Sequence, residues 1–299
     1  MDTIPSSELI LNPDGSVYHL HLHPEQLSDT IITVGDPDRV SQVSKHFDSI
    51  EFDQQKREFR TVTGKYKGKR ITVISTGIGT DNIDIVFNEL DALVNIDFQS
   101  RKPKSTHTQL NFIRIGTSGT IQSTIPVDSW LISAYAIGLD NLLHFYDSEA
   151  VRDIPLEQAF KNTVSWSKNL QPYCVAANAD LLQHMASDRC LQGITMTNAG
   201  FYGPQGRRLR LAPSFTTFIK DLSAFQYQHQ EGDVARTIPQ ITNLEMETSG
   251  IYGLARLLGH RAISLNAILA NRALGTFSKS PTTTVDTLII YTLDRLLTL

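Results

Sequence analysis

The chain has 299 residues, 40% of them hydrophobic, with a formal net charge of −4 and a pI of about 6.1. That length carries one large core or two domains, and the lack of general basic character argues against nucleic acid as a partner. No run approaches the roughly 18 apolar residues of a membrane span, and MDTIPSSELILNPDGS has no basic region ahead of an apolar stretch, so no signal peptide is expected.

Residues 1–16 are polar and turn-rich and read as an arm. Tyr18 to Leu22 alternates apolar residues with histidine; if extended, His19, His21 and His23 share a face. A metal site is conceivable there, but no acidic or thiol ligand accompanies the triplet, so a polar edge strand is expected and no metal is assigned. Thr30 to Val34 is a β-branched run ending at Gly35, and Asp36-Pro37 opens a helix with proline at a permitted first-turn position. Lys65, Lys67, Lys69 and Arg70 surround Gly64 and Gly68 and read as a solvated hairpin. Ile71 to Ile74 is a second apolar run, ending in STGIGT (75–80), and a long helix follows from about Asp81. Residues 97–110 are polar and read as an exposed insertion.

Phe112 to Ile115 is a third run, ending in GTSG (116–119), and Asp128 to Ile137 reads as a strand. Pro155 to Asn169 reads as a helix; Tyr173 to Ala177 and Gln192 to Thr197 read as strands with a helix between them. Thr237 to Thr242 is extended, and a helix begins at Thr248-Ser249. Ala262 to Ala270 is nearly all apolar, and Val285 to Leu297 closes the chain as an amphipathic helix capped by Thr283 or Thr284. Near-continuous apolar strands alternating with helices predict an α/β fold with a sheet covered on both faces. No linker or internal repeat divides the chain, so a single domain over 17–299 is expected behind the arm. Cys174 and Cys190 form no CxxC and no zinc spacing; reduced, partly buried thiols in a cytoplasmic protein are expected.

The chemistry concentrates where strands end. In NLEMETSG (243–250), Glu245 and Glu247 flank Met246 at a strand-to-helix junction, the place where open α/β sheets hold ligands. In an extended segment the two carboxylates point one way and Met246 the other. They are costly in a core unless paired; a vicinal diol would satisfy one of them, and a helix N-terminus would favour both. The loops Gly35–Arg39, Ser75–Thr80 and Gly116–Gly119 are rich in glycine and hydroxyls, and grouped backbone amides bind anions. Asn82 stands where a dinucleotide fingerprint needs glycine, and Thr120 where a serine-nucleophile elbow needs it, so both readings fail. Arg39, Arg57 and Arg114 accompany these loops, and guanidinium forks suit phosphate. Arg114 lies inside an apolar strand and must have a partner. FYGPQGR (201–207) offers Gln205, donor and acceptor together, and Arg207, donors only, a pair that fits a planar base edge; an ordinary turn with surface polar residues is the alternative.

Together YHLHL (18–22), GDPDR (35–39), KREF (56–59), STGIGT (75–80), IRIGTSG (113–119), FYGPQGR (201–207), NLEMETSG (243–250) and ANR (270–272) resemble the nucleoside phosphorylase-I family, most of all its uridine phosphorylases. The resemblance implies a mixed, distorted central sheet flanked by helices. It implies phosphorolysis of a pyrimidine nucleoside, uridine first, to free base and ribose 1-phosphate, with inorganic phosphate as co-substrate and no organic cofactor. Position by position, it implies phosphate on Gly35, Arg39, Arg114 and Thr117, with Arg57 reaching the site of a neighbouring subunit. Ribose falls to Met246, Glu247 and the neighbour's His19. The base falls to Ser118, Gly119, Phe201, Gln205, Arg207 and Arg272, with Glu245 orienting the reading pair. A site shared in this way implies a homodimer as the minimum unit, and the family's hexamer is a trimer of such dimers. The resemblance also sets Asn271 where purine-cleaving relatives carry an aspartic acid that delivers a proton, which an amide does not do. The arm, the 97–110 insertion, the Gly203-Pro204 order and Asp81-Asn82 depart from the family's pattern. A purine nucleoside phosphorylase, a hydrolytic nucleosidase on the same fold and a non-catalytic nucleoside-binding protein are the rival readings.

Overall fold

The computed structural model describes residues 3–164, 170–231, 234–237 and 239–299, with residues 228–231 and 234–237 described by their backbone alone. In chain order the first half gives β1 (Thr30–Val34), α1 (Pro37–Ser44), β2 (Ser49–Lys56), β3 (Phe59–Tyr66), β4 (Lys69–Ser75), α2 (Thr80–Asn95), the short pair β5 (Ile96–Asp97) and β6 (Lys102–Pro103), β7 (Asn111–Thr120) and β8 (Trp130–Gly138). The second half gives α3 (Ile154–Thr163), β9 (Tyr173–Ala176), α4 (Ala179–Met185), β10 (Cys190–Thr197), α5 (Phe218–Ala224), β11 (Gln228–Glu231), β12 (Val234–Thr237), β13 (Ile241–Glu245), α6 (Thr248–Leu257), β14 (Arg261–Asn271), β15 (Thr276–Phe277) and α7 (Pro281–Leu296).

One mixed sheet organises the molecule, in the order β15-β14-β8-β10-β13-β7-β1-β4-β3-β2, with β9 on β8. A further pairing of β14 with β7 closes β14, β8, β10, β13 and β7 into a ring, and register shifts in β10 and β14 mark the distortion that closure needs. Alternation along the strands sorts the core. On one face Ile31 and Phe112 pack with Phe87 and Leu90 of α2 and Ile251 and Leu254 of α6. On the other, Ile32, Ile113, Ile115 and Ile263 pack with Val40 of α1, Leu181 of α4 and Leu288 of α7. Phe160 of α3 and Leu222 of α5 cover the β10–β13 end. Arg114, two residues after Phe112, therefore faces the α2–α6 side.

Several local expectations change. GTSG is not a loop: β7 runs on to Thr120, because Thr117, Ser118 and Gly119 pair with Ala267, Ile268 and Ala270 of β14, and Gly119 also pairs with Leu244 of β13. The strands β2 and β3, joined by a two-residue turn at Arg57-Glu58, have mostly polar β2 residues and escape a reading based on apolar runs. Residues 18–22 are not extended; His21 is left-handed at φ 55°, and the histidines do not share a face. His19 Nδ1 lies 2.6 Å from Glu89 and His21 Nε2 2.8 Å from Asp14. The helix expected to reach Asn169 ends at Thr163, and 165–169 lie outside the described residues. The extended run expected over 237–242 ends β12 at Thr237 and resumes in β13 at Ile241, with Ile238 between them outside the described residues. The last helix starts at Pro281 behind Ser280, and Thr284 instead donates to Asp128 at 2.6 Å. The arm packs against the 97–110 segment: Ile4 N–H donates to Arg101 O, and the Arg101 guanidinium donates to Ile4, Pro5 and Leu9 carbonyls. Cys174 and Cys190 are buried and free, and burial pushes both thiols up.

Candidate active site

A cavity of about 790 Å³ opens where β7, β13 and the start of α6 meet. Its wall holds Gly35, Arg39, Arg114 and Thr117 together with Met246 and Glu247. Ser118, Gly119, Phe201, Gln205 and Arg207 line it as well. The sequence separates these residues by up to some two hundred positions; the strand order alone brings them together.

Arg114 is the centre of the site and is 5% exposed. One terminal nitrogen lies 2.6 Å from Glu247 Oε2 and 3.0 Å from Glu245 Oε2. The other donates to Asn266 Oδ1 at 3.0 Å. Burial alone would lower the guanidinium pKa, but Glu245 and then Glu247 outweigh it and raise it, so the charge is held. Glu245 ends β13 and accepts from Glu247 N, Thr248 N, Thr248 Oγ1 and Thr197 Oγ1. Glu247 is the residue ahead of α6; it accepts from Gly79 N at 2.9 Å, and burial raises its carboxyl despite the opposing pull of Arg114. Gly79 has φ 98°, and this left-handed backbone aims its N–H at Glu247. The acidic pair stands at a helix N-terminus and also lines the cavity.

Arg39, held on α1, has its Nε buried with no protein partner among the described residues. Burial lowers its pKa first and Arg114 lowers it further, so two guanidinium groups press on one another at this end of the cavity. A guanidinium with an unpartnered buried N–H, pressed by a second guanidinium, favours an anion.

Elsewhere on the cavity wall, Gln205 is 1% exposed. Arg207 lies over the Phe201 ring, 3.9 Å from its centroid, and donates to Phe201 O and to Gln205 Oε1. Arg272 is not on the wall; it stands behind, donating to the Gln205 carbonyl at 2.5 Å. Burial, then Arg207, pushes the Arg272 pKa down to about 10.

Some expected placements change. Met246 lines the same cavity as the two glutamates, because the strand ends at Glu245 and the chain turns into α6. Glu245 makes no bond to Gln205 or Arg207; its oxygens are taken by Arg114 and the α6 N-terminus, so it orients the arginine and not the base readers. Asn271 is 1% exposed and donates to Gln122 O and Ile125 O, while its Oδ1 accepts from Leu274 N. It ties β14 to neighbouring loops and does not line the cavity, so selectivity is not built on it. His19 and Arg57 also lie off the wall, Arg57 exposed at the β2–β3 turn. Sequence reading missed Glu58, Asn82 and Asn266. The signal for Asn266 was present: an amide inside the 262–270 run must be bonded when buried.

Asp91, His107 and His260 have ligand atoms within 4.8 Å of one another. The donor set does not suit a metal, however. His260 Nδ1 accepts from Leu110 N–H, so Nε2 carries the hydrogen; it lies 3.2 Å from Asp91 Oδ1 but is buried without a hydrogen-bond partner among the described residues. His107 Nε2 is used on Leu258 O. The His107 bond to Leu258 O fastens the 97–110 segment to the end of α6.

With this geometry in place, the comparisons with known proteins converge. The family model of the phosphorylase superfamily matches residues 29–288, and the chain belongs to that superfamily. A curated uridine phosphorylase of Thermococcus kodakarensis is 30% identical over 92% of this chain and 84% of its own length. A DeoD-type purine nucleoside phosphorylase of Shewanella denitrificans is 25% identical over 94% of this chain and 98% of its own. Among solved structures, a Trypanosoma brucei nucleoside phosphorylase described as showing uridine phosphorylase activity superposes with a TM-score of 0.86 at 27% identity, covering 98% of this chain and all of that one.

Removing the Asn271 carboxamide leaves two buried carbonyls and one N–H without their partner. Asn271→Ala is therefore expected to cost about 2–3 kcal/mol of stability, read as a lower urea midpoint. Asn271→Asp sets a carboxylate against two carbonyl oxygens and is expected to destabilise at least as much. A variant as stable as the parent would return Asn271 to the site.

Proposed function

We propose that the protein catalyses the phosphorolysis of uridine to uracil and ribose 1-phosphate. The observation that carries this reading is the pairing of functions in one cavity. Arg39 and Arg114, suited to an anion, and Gln205 and Arg207, suited to a planar base edge, line one cavity with the Glu247 carboxylate. The uridine phosphorylase relatives and the Trypanosoma brucei structure support it.

In this reading phosphate binds to Gly35, Arg39, Arg114 and Thr117, and Glu247 accepts from the ribose 2′- and 3′-hydroxyls beside Met246. Uracil lies against Ser118, Gly119 and Phe201 and is read by Gln205 and Arg207, with Arg272 supporting Gln205 from behind. A phosphate oxygen attacks C1′ as the bond from C1′ to N1 breaks, and the electron pair leaves on the base. Positive charge grows on the sugar beside the phosphate dianion. Negative charge grows on the uracil oxygens near Arg207. The protein supplies placement and preorganised charge, without a covalent nucleophile or an organic cofactor. Cytosine carries an amino group where uracil has O4, so an arginine donor would meet another donor, a mismatch worth roughly 10⁴-fold at a hydrogen-bonding site. His19 and Arg57 lie off the wall of their own cavity and fit the completion of a partner's site in a homodimer, alone or within a trimer of dimers. Among the described residues no helix is long and apolar enough to cross a membrane.

Incubation with uridine, with and without inorganic phosphate, tests the reaction. Uracil is expected only with phosphate; release without it would mean hydrolysis, and no release a binding protein. Arg114→Ala is expected to remove most activity and raise the phosphate KM, at a cost of about 2–5 kcal/mol in transition-state binding. Glu247→Gln should harm uridine more than 2′-deoxyuridine, which offers one hydroxyl fewer; equal losses would make Glu247 structural. For the shared site, mixing inactive Arg57→Ala and Arg114→Ala proteins should restore partial activity after subunit exchange. No recovery despite demonstrated exchange would assign each site to a single chain.

A further inference from the structure

The parallel register of β7 and β14 sets Ser264 opposite Arg114 and Asn266 opposite Gly116. A Cβ on Gly116 would come within 1.9 Å of an Arg114 terminal nitrogen and 2.5 Å of its central carbon. The guanidinium therefore curls back along its own strand and lies over a residue that has no side chain. There it reaches across to the cross-strand neighbour of that glycine, Asn266, whose Oδ1 accepts at 3.0 Å. The Asn266 amide nitrogen donates to Ser264 Oγ at 3.3 Å, which turns the oxygen toward the arginine. Ser264 Oγ in turn lies 3.0 Å from Thr248 Oγ1, and Thr248 bonds Glu245.

From this arrangement we propose that Gly116 and Asn266 form a seat that positions Arg114 for phosphate, with Asn266 as a positioning residue whose neutrality matters as much as its oxygen. The inference rests on the reading of Arg114 as a phosphate ligand. Glu245 and Glu247 both pull on one terminal nitrogen and draw the guanidinium toward α6. Asn266 holds the other nitrogen from the opposite side. An acceptor is required there, because a buried N–H left unpaired is costly. A charged acceptor is not tolerated, because two carboxylates already surround one guanidinium. Arg39 and Arg114 together balance Glu245 and Glu247, and a third carboxylate would leave an incoming phosphate facing net negative charge at close range. The glycine is required for space and the asparagine for direction without charge.

Steady-state kinetics with inorganic phosphate and uridine separate this role from a merely structural one. Asn266→Ala is expected to raise the phosphate KM about 10- to 100-fold, as for a lost hydrogen bond to a charged group, while the uridine KM stays within about twofold. Asn266→Ser, which keeps an acceptor oxygen, should recover part of that loss. Asn266→Asp, close in shape, should be worse than Ala. Gly116→Ala should reproduce the phosphate defect from the other side of the seat. Folded Asn266→Ala and Asn266→Asp proteins with phosphate KM values within twofold of the parent would overturn the proposal. So would equal losses for phosphate and uridine, or failure of the Ala and Ser variants alike to fold, which would assign Asn266 to the core. Arg114→Ala serves as the control. If it leaves phosphate dependence unchanged, the reading of the site fails; if it loses phosphate while the seat variants do not, only the seat fails.

Discussion

The structure turns on one buried charge cluster, Arg114 between Glu245 and Glu247. Taking such groups out of water costs several kcal/mol per ion, and the cost is recovered only with good geometry and every remaining hydrogen-bonding position filled. The fold meets that condition from several directions. The end of β13 places Glu245 under the first amides of α6, where two N–H groups and two hydroxyls reach it. The left-handed turn at Gly79 brings an N–H to Glu247. The closed ring of strands fixes β7 against both β13 and β14, so the arginine meets carboxylates on one side and Asn266 on the other. Breaking one partner of such a cluster costs more than any surface pair does, since it leaves a buried charge uncompensated. Stability at this point and readiness for an anion are properties of the same contacts.

The strand pattern and the covered sheet were legible because burial on both faces leaves near-continuous apolar runs, and β1, β4, β7 and β14 all show them. Arg114 was legible for the same reason: a guanidinium inside such a run has to be paired. What pairs it was only half legible. The two glutamates stood out beside a helix start, but Asn266 is visible only through cross-strand register, which a single sequence does not display. Register also explains why GTSG reads as a loop and is a strand. Glycines and hydroxyls signal turns by composition, yet here they pair with β14 on one side and, at Gly119, with β13 on the other. The histidine triplet failed for a different reason. Alternation is a strand signal only if the backbone is extended, and at His21 a left-handed residue breaks it. β2 was missed because a sheet edge need not be apolar, and β3, mostly buried, because Arg60, its threonines and Lys65 break up any apolar run.

Asn271 shows how a chemically sensible assignment gives way to bonding. The family resemblance set it where purine-cleaving relatives carry a proton donor, and an amide at that place would bias the reaction toward bases that need no acid. The structure gives every polar atom of that amide a backbone partner away from the cavity. A side chain satisfied in this way has no donor left for a base and faces away from the cavity, so selectivity in the proposed reaction has to come from groups that do line the wall.

Those groups differ in charge balance from the other end of the site, and the difference has a direction. Arg114 is countered by two carboxylates, so its charge is held in place and partly neutralised before any ligand arrives. Arg207 and Arg272 donate to carbonyl oxygens and have no carboxylate partner among the described residues. Burial is the largest cause of the depressed pKa of both, and Arg272, pushed down to about 10, remains protonated at neutral pH. A cation held half-buried without a counter-charge interacts little with a neutral ground-state base. It interacts strongly with a base that gains an electron pair, because the interaction strengthens as charge develops and no solvent has to reorganise to deliver it. The imbalance at this end is thus differential by construction. It favours a leaving group that spreads negative charge over carbonyl oxygens, as uracil does, over one that must first be protonated on a ring nitrogen.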